Sequence, residues 1–165
     1  MNPPDFRIKI ATCHKSWLGD LFKIDDKDYF GIDLLSEDLG IEIKSRLIGH
    51  GGPWSVHTSQ IDNYPKLNPK KKLFFAFVLY NLNLSIYDLN EEDNLESHIT
   101  ERTIWFRNWN WILNKPRSYV KTGPYVYISK KLFSQESTDK CLNTRNATLY
   151  FPRNSHLEDK LVSKH

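Results

Sequence analysis

The sequence predicts an α/β chain of the α+β kind, one domain spanning residues 1–165. Three observations predict it. The run Leu73-Phe74-Phe75-Ala76-Phe77-Val78-Leu79-Tyr80 is continuously apolar, as a central strand buried on both faces must be. Residues 41–48 alternate, with Ile41, Ile43 and Leu47 on one face and Glu42, Lys44 and Arg46 on the other. Residues 14–23 place Trp17, Leu18, Leu21 and Phe22 at the spacing of a short amphipathic helix.

The remaining elements follow in order. Residues 25–28 are a polar turn, and Tyr29 to Leu35 is a strand. The turn Ser36–Gly40 folds it back against residues 41–48 as an antiparallel hairpin. Gly49–Pro53 is a loop. Residues 55–64 suit a helix that starts at Ser55 or Thr58 and stops before Pro65. Leu84–Tyr87 is a shorter strand, and the acidic residues 89–98 suit a helix. An aromatic cluster follows (Trp105, Phe106, Trp109, Trp111), then a strand pair over 119–129 around Gly123-Pro124. The C-terminal 30 residues show no pattern.

Composition sets the outer bounds. At 39% hydrophobic and 13% aromatic residues, the chain is not a disordered tail. The longest apolar run falls far short of the ~20 residues that span a bilayer, and no signal-peptide pattern opens the sequence, so a cytoplasmic protein without membrane contact is expected. Cys13 and Cys141 form no CxxC pair, which argues against a disulfide framework or a cysteine zinc site. Charge is segregated. Residues 88–101 hold Asp88, Glu91, Glu92, Asp93, Glu96 and Glu101. Residues 102–131 hold Arg102, Arg107, Lys115, Arg117, Lys121, Lys130 and Lys131. The basic stretch suits a phosphate backbone or, equally, a solvated surface.

One motif carries chemistry. Of three [D/E]-x-K triplets, only Glu42-Ile43-Lys44 lies inside an apolar alternating strand; Asp25–Lys27 and Glu158–Lys160 lie in polar segments. Alternation sets Glu42 and Lys44 on one side of the sheet, about 7 Å apart. Two charges in that setting need partners. Asp33, nine residues upstream on the other arm of the hairpin, falls across from Glu42. Two carboxylates meeting there make a hard oxygen site suited to Mg²⁺, with Mn²⁺ as a substitute and the Ile43 carbonyl as a further ligand. Lys44 then lies beside the attacked phosphate, where it orients water and stabilises charge. The plainer alternative is a surface hairpin with a charged outer face.

Gly31-Ile32-Asp33 followed after eight residues by Glu42-Ile43-Lys44 resembles the signature of the PD-(D/E)xK nucleases, over about residues 14–87. The resemblance implies a restriction-endonuclease-like core: a central mixed β-sheet flanked by helices, with a helix before the signature and a helix and buried strand after it. It implies Mg²⁺-dependent phosphodiester hydrolysis by Asp33, Glu42 and Lys44, with metal held by Asp33, Glu42 and Ile43. Small type II restriction endonucleases are the most similar members, which implies a homodimer acting on double-stranded DNA. Ile32 replaces the usual proline. The upstream helix offers only Asp20 as the additional acidic ligand some members use. Gln60 and Tyr64 match the QxxxY spacing of exonuclease-like members, on one helix face. His57 is a further accessory candidate, against an ordinary polar role. Lys115, Arg117 and Lys121 are the expected DNA-binding residues, and 102–131 the expected DNA-contact or dimer region, with Trp105–Trp111 as interface. A junction resolvase with the same chemistry, or a non-catalytic nucleic-acid-binding module, are the alternatives.

Overall fold

The computed structural model describes residues 2–24, 31–120, 123–136 and 139–161. The expected turn at 25–28 and Lys121 lie outside them. Helix α1 spans Pro3–Phe22, starting well before the expected residue 14. Pro3 and Pro4 pre-set φ where no amide donor is needed. Phe6, Ile10, His14, Leu18 and Leu21 then recur every third or fourth residue and form the buried stripe.

The hairpin forms as expected; Tyr29 and Phe30 of its first arm lie outside the described residues. Strand β1 is Leu34–Leu35 and β2 is Leu39–Leu47, antiparallel with Leu34 opposite Ile41. The turn closes through Ser36, whose N–H donates to the Leu39 carbonyl and whose Oγ accepts the Leu39 N–H.

The next segment departs from expectation. Trp54–His57 is a strand, β3, rather than the start of a helix. Trp54 and Val56 point inward and Ser55 and His57 outward, a two-residue period that overrides the capping signal at Ser55. Helix α2 spans Thr58–Leu67 and contains Pro65 instead of ending before it. Proline leaves the Ile61 carbonyl without its helical donor. The Trp109 indole N–H fills the gap at 3.0 Å.

Strand β4 (Lys72–Leu82) is parallel to β2 and buried on both faces, as its apolar run predicts. Residues 86–88 form a 3-10 turn where a strand was expected. The acidic segment is helical only over α3, Leu95–His98. Strand β5 (Ile99–Asn108) is antiparallel to β4 and leads into α4 (Trp109–Leu113). Strands β6 (Ser118–Val120) and β7 (Gly123–Ile128) are the expected pair. After α5 (Lys130–Gln135), the unpatterned tail supplies β8 (Lys140–Asn143) and β9 (Ala147–Phe151), the latter parallel to β5.

The result is α+β: a mixed six-stranded sheet in the order β1-β2-β4-β5-β9-β8, flanked by helices, with a smaller sheet β3-β7-β6. Alternation along the strands divides the core in two. One half packs Ile41, Phe74, Val78, Ile104 and Phe106 against α1. The other packs Phe75, Phe77 and Trp105 against Trp54, Ile61, Val126, Ile128 and Phe133. Glu42 and Lys44 project into the second half, beside α2.

Candidate active site

The hairpin register delivers two carboxylates to one place. Continuing the Leu34–Ile41 pairing by one step sets Asp33 opposite Glu42. The two residues clamp each other. The Asp33 N–H donates to Glu42 Oε1 at 3.2 Å, and Asp33 Oδ2 accepts the Ile43 N–H at 2.7 Å. Within an extended strand a residue's N–H and C=O point the same way. The Ile43 carbonyl therefore faces the same side, where β1 has already ended.

Helix α2 closes the site from above. Gln60 Oε1 accepts the Lys44 ammonium at 2.7 Å, while Gln60 Nε2 donates to Glu42 Oε2 at 3.1 Å and to the Tyr64 hydroxyl at 3.2 Å. Only this amide orientation puts oxygen on the cation and nitrogen on the carboxylate. Lys44 Nζ lies 3.5 Å from Glu42 Oε2. The structure thus brings together Asp33, Glu42, Lys44, Gln60 and Tyr64. Gly31, for which the sequence predicts no role of its own, is part of the same arrangement. It sits at φ +79°, and a Cβ there would lie 3.1 Å from the Tyr64 hydroxyl oxygen. Its only signal in the sequence is a glycine two residues before the aspartate.

Electrostatics single out Glu42, which is 3% exposed. Burial pushes its carboxyl well above the ordinary glutamate range; the adjacent Asp33 charge adds to the rise, and Lys44 opposes it. One ammonium faces two carboxylates in a dry setting, so the cluster is short of positive charge. That imbalance fits a divalent cation. Among the described residues no group of three or more His, Cys, Asp or Glu side chains converges as a metal site. The available donors are two carboxylates and the Ile43 carbonyl, a hard oxygen set of the size Mg²⁺ accepts when water completes its shell.

The other expected residues lie elsewhere. Asp20 is exposed on α1 and lines a groove with Asp93 and Glu96, apart from the cluster. His57 caps α2: its Nδ1 accepts the Ser59 N–H at 3.0 Å. Lys115 is paired with Glu136, and Arg117 forms a two-pronged pair with Asp62. Lys121 lies outside the described residues. Nor do the basic groups of 102–131 share a face. Arg102 pairs with Glu96 on the α1 side of β5, and Arg107 pairs with Asp139 on the other side, both buried. The aromatic cluster is core rather than interface. Trp105, Phe106 and Trp109 are buried, and Phe106 points away from the two tryptophans into the opposite half of the core.

Comparison of the chain with protein-family models, with curated proteins and with solved structures gives no match. Among the described residues no helix is long and apolar enough to cross a membrane.

Proposed function

We propose that this chain is a metal-dependent endodeoxyribonuclease. The observation that carries the reading is the buried Glu42 held against a second carboxylate, with a lysine two residues along the same strand and a glutamine bridging both charges. A structural ion pair has no use for the second carboxylate. Asp33, Glu42 and the Ile43 carbonyl would hold Mg²⁺ or Mn²⁺, which when bound supplies Lewis-acid polarisation and a more acidic water. The chain's own groups do the rest. Gln60 fixes the Lys44 ammonium and keeps it turned toward the carboxylates. Lys44 binds an oxygen of the attacked phosphate and stabilises the charge that grows on it. Tyr64 holds Gln60 in place, and the water-poor second core behind Phe75 and Phe77 strengthens each of these interactions.

The substrate form we favour is double-stranded DNA cut at a short two-fold site by a homodimer, as in restriction cleavage, because one cluster per chain serves one strand. Supercoiled plasmid should be cut with Mg²⁺ or Mn²⁺ and be left intact with EDTA. Asp33→Ala, Glu42→Ala and Lys44→Ala should each lower the rate by orders of magnitude. Plasmid-cutting by Glu42→Ala at the parent's rate would overturn the assignment. Cutting confined to a four-way junction, with no discrete fragments from linear duplex, would keep the nuclease and remove the restriction form.

A further inference from the structure

At the end of the sheet where β2 and β4 begin and β5 and β9 finish, a groove of about 700 Å³ opens between the α2–β4 turn, the start of α4 and the segment after β9. Its chemistry differs from that of the other surfaces. Among the described residues no carboxylate lines it. Lys71 and Lys72 do, and among the described residues neither forms an ion pair; Lys71 Nζ donates to the Glu37 backbone carbonyl at 2.6 Å. Lys66 and Lys70, next in sequence to the lining residues Pro65 and Pro69, are exposed. Three exposed asparagines, Asn108, Asn110 and Asn154, present amides that bond to no other group of the described residues. Asn108 precedes α4 without capping it. Uncompensated ammonium groups beside unengaged amides form a surface for phosphate and sugar oxygens.

The groove is linked to the candidate cluster through Tyr64. Asn68, on its floor, donates to the Tyr64 carbonyl at 2.9 Å, and the Tyr64 ring lies 5.7 Å from that of Trp109, which lines the wall. Along β2 the distance is set by register. Lys72 pairs with Leu39 and Phe75 with Glu42, three residues apart. That is about 10 Å along the backbone at ~3.3 Å per residue. The groove between α1 and residues 93–96 is the alternative cleft, but Asp20, Asp93 and Glu96 line it and would repel a polyanion.

We propose that the groove binds the sugar–phosphate backbone of a DNA strand whose scissile bond lies at the candidate cluster. The substrate rests on the nuclease reading; the binding surface can be tested without it. A fluorescein-labelled duplex is titrated with the full chain in EDTA, so that cleavage plays no part, and anisotropy is followed across salt concentrations. Lys72→Glu should weaken binding roughly tenfold and flatten the log–log salt dependence by about one unit, and Asn110→Asp should weaken binding by a similar factor. Arg117→Ala, whose cation already faces Asp62, should leave both unchanged, and unaltered melting temperatures show that the variants are folded. Parent-like affinity and slope in both groove variants would overturn the proposal, as would a parent chain that does not bind duplex. Groove-dependent binding without Mg²⁺-dependent cutting would uphold the groove and remove the nuclease reading.

Discussion

Glu42→Gln should make the protein more stable and abolish the proposed DNA cleavage. The parent side chain is buried, with the Asp33 carboxylate beside it and its own carboxyl pushed up by burial and by that neighbour. An amide at this position keeps an oxygen to accept from the Asp33 N–H or from Gln60. Its nitrogen can donate to the Asp33 carboxylate, so a repulsion becomes a hydrogen bond. One like-charge contact removed and one hydrogen bond formed are together worth about 1–2 kcal/mol. For a chain of this size that is roughly 2–8 °C in Tm. The sign with pH is fixed. A folded-state value above the ordinary 4.5 of glutamate means that stability is fully present below that pH and lost as pH rises through the folded value. The gain from Glu42→Gln should therefore be absent at low pH and grow toward neutrality. Differential scanning calorimetry at several pH values, with a parallel plasmid assay, reads both effects. Mg²⁺ provides a third reading, because a ligand at about a hundred times its Kd adds about 2.7 kcal/mol to the parent and less to the variant. A variant less stable than the parent at pH 7 would refute the reasoning, since Glu42 would then be a satisfied structural anion.

Gly31→Ala should cost about 1–2 kcal/mol, because φ +79° is disfavoured for alanine and the new methyl presses on Tyr64; cleavage should fall with it as Gln60 loses its support. Urea unfolding and the plasmid assay measure the two losses, and a parent-like rate would detach Tyr64 from the site. Lys115→Ala and Arg117→Ala should leave duplex affinity and its salt dependence unchanged, because each cation already faces its own carboxylate; a clear loss of affinity in fluorescence anisotropy would restore residues 102–131 as a DNA face.

How much of this was legible in the sequence depended on how local the cause was. Asp33, Glu42 and Lys44 were visible because a hairpin and a two-residue period are short-range rules, and both act within residues 33–44. Gln60 and Tyr64 were visible by helical spacing, although the helix boundaries were misplaced. Trp54–His57 was not, because its strand exists only through pairing with β7, some 70 residues away. The basic stretch misled for the same reason. A lysine or arginine is available to DNA only if nothing else has claimed it. The claimants here are distant: Asp62 for Arg117, Asp139 for Arg107 and Glu136 for Lys115. Trp105 and Phe106 look like one cluster in a linear reading. On a strand, neighbours in sequence face opposite sides, so they belong to different halves of the core.

The treatment of buried charge across the molecule separates the candidate site from the scaffold. Arg102 is enclosed, and Glu96 meets it, with the Trp17 ring stacked below and His14 held neutral as burial lowers its imidazole to about 3. Arg107 is enclosed, and Asp139 meets it with two hydrogen bonds at 2.9 Å. In both places a buried cation is matched by one anion, which is how a fold tolerates charge in its interior. Glu42 is treated in the opposite way. The same hairpin that buries it also places Asp33 against it, and the one cation beside it among the described residues, Lys44, is shared with Gln60. A scaffold under selection for stability alone gains nothing from that arrangement, since an amide at position 42 would relieve it. An unbalanced carboxylate pair is useful where a cation is to be bound and phosphate chemistry performed beside it.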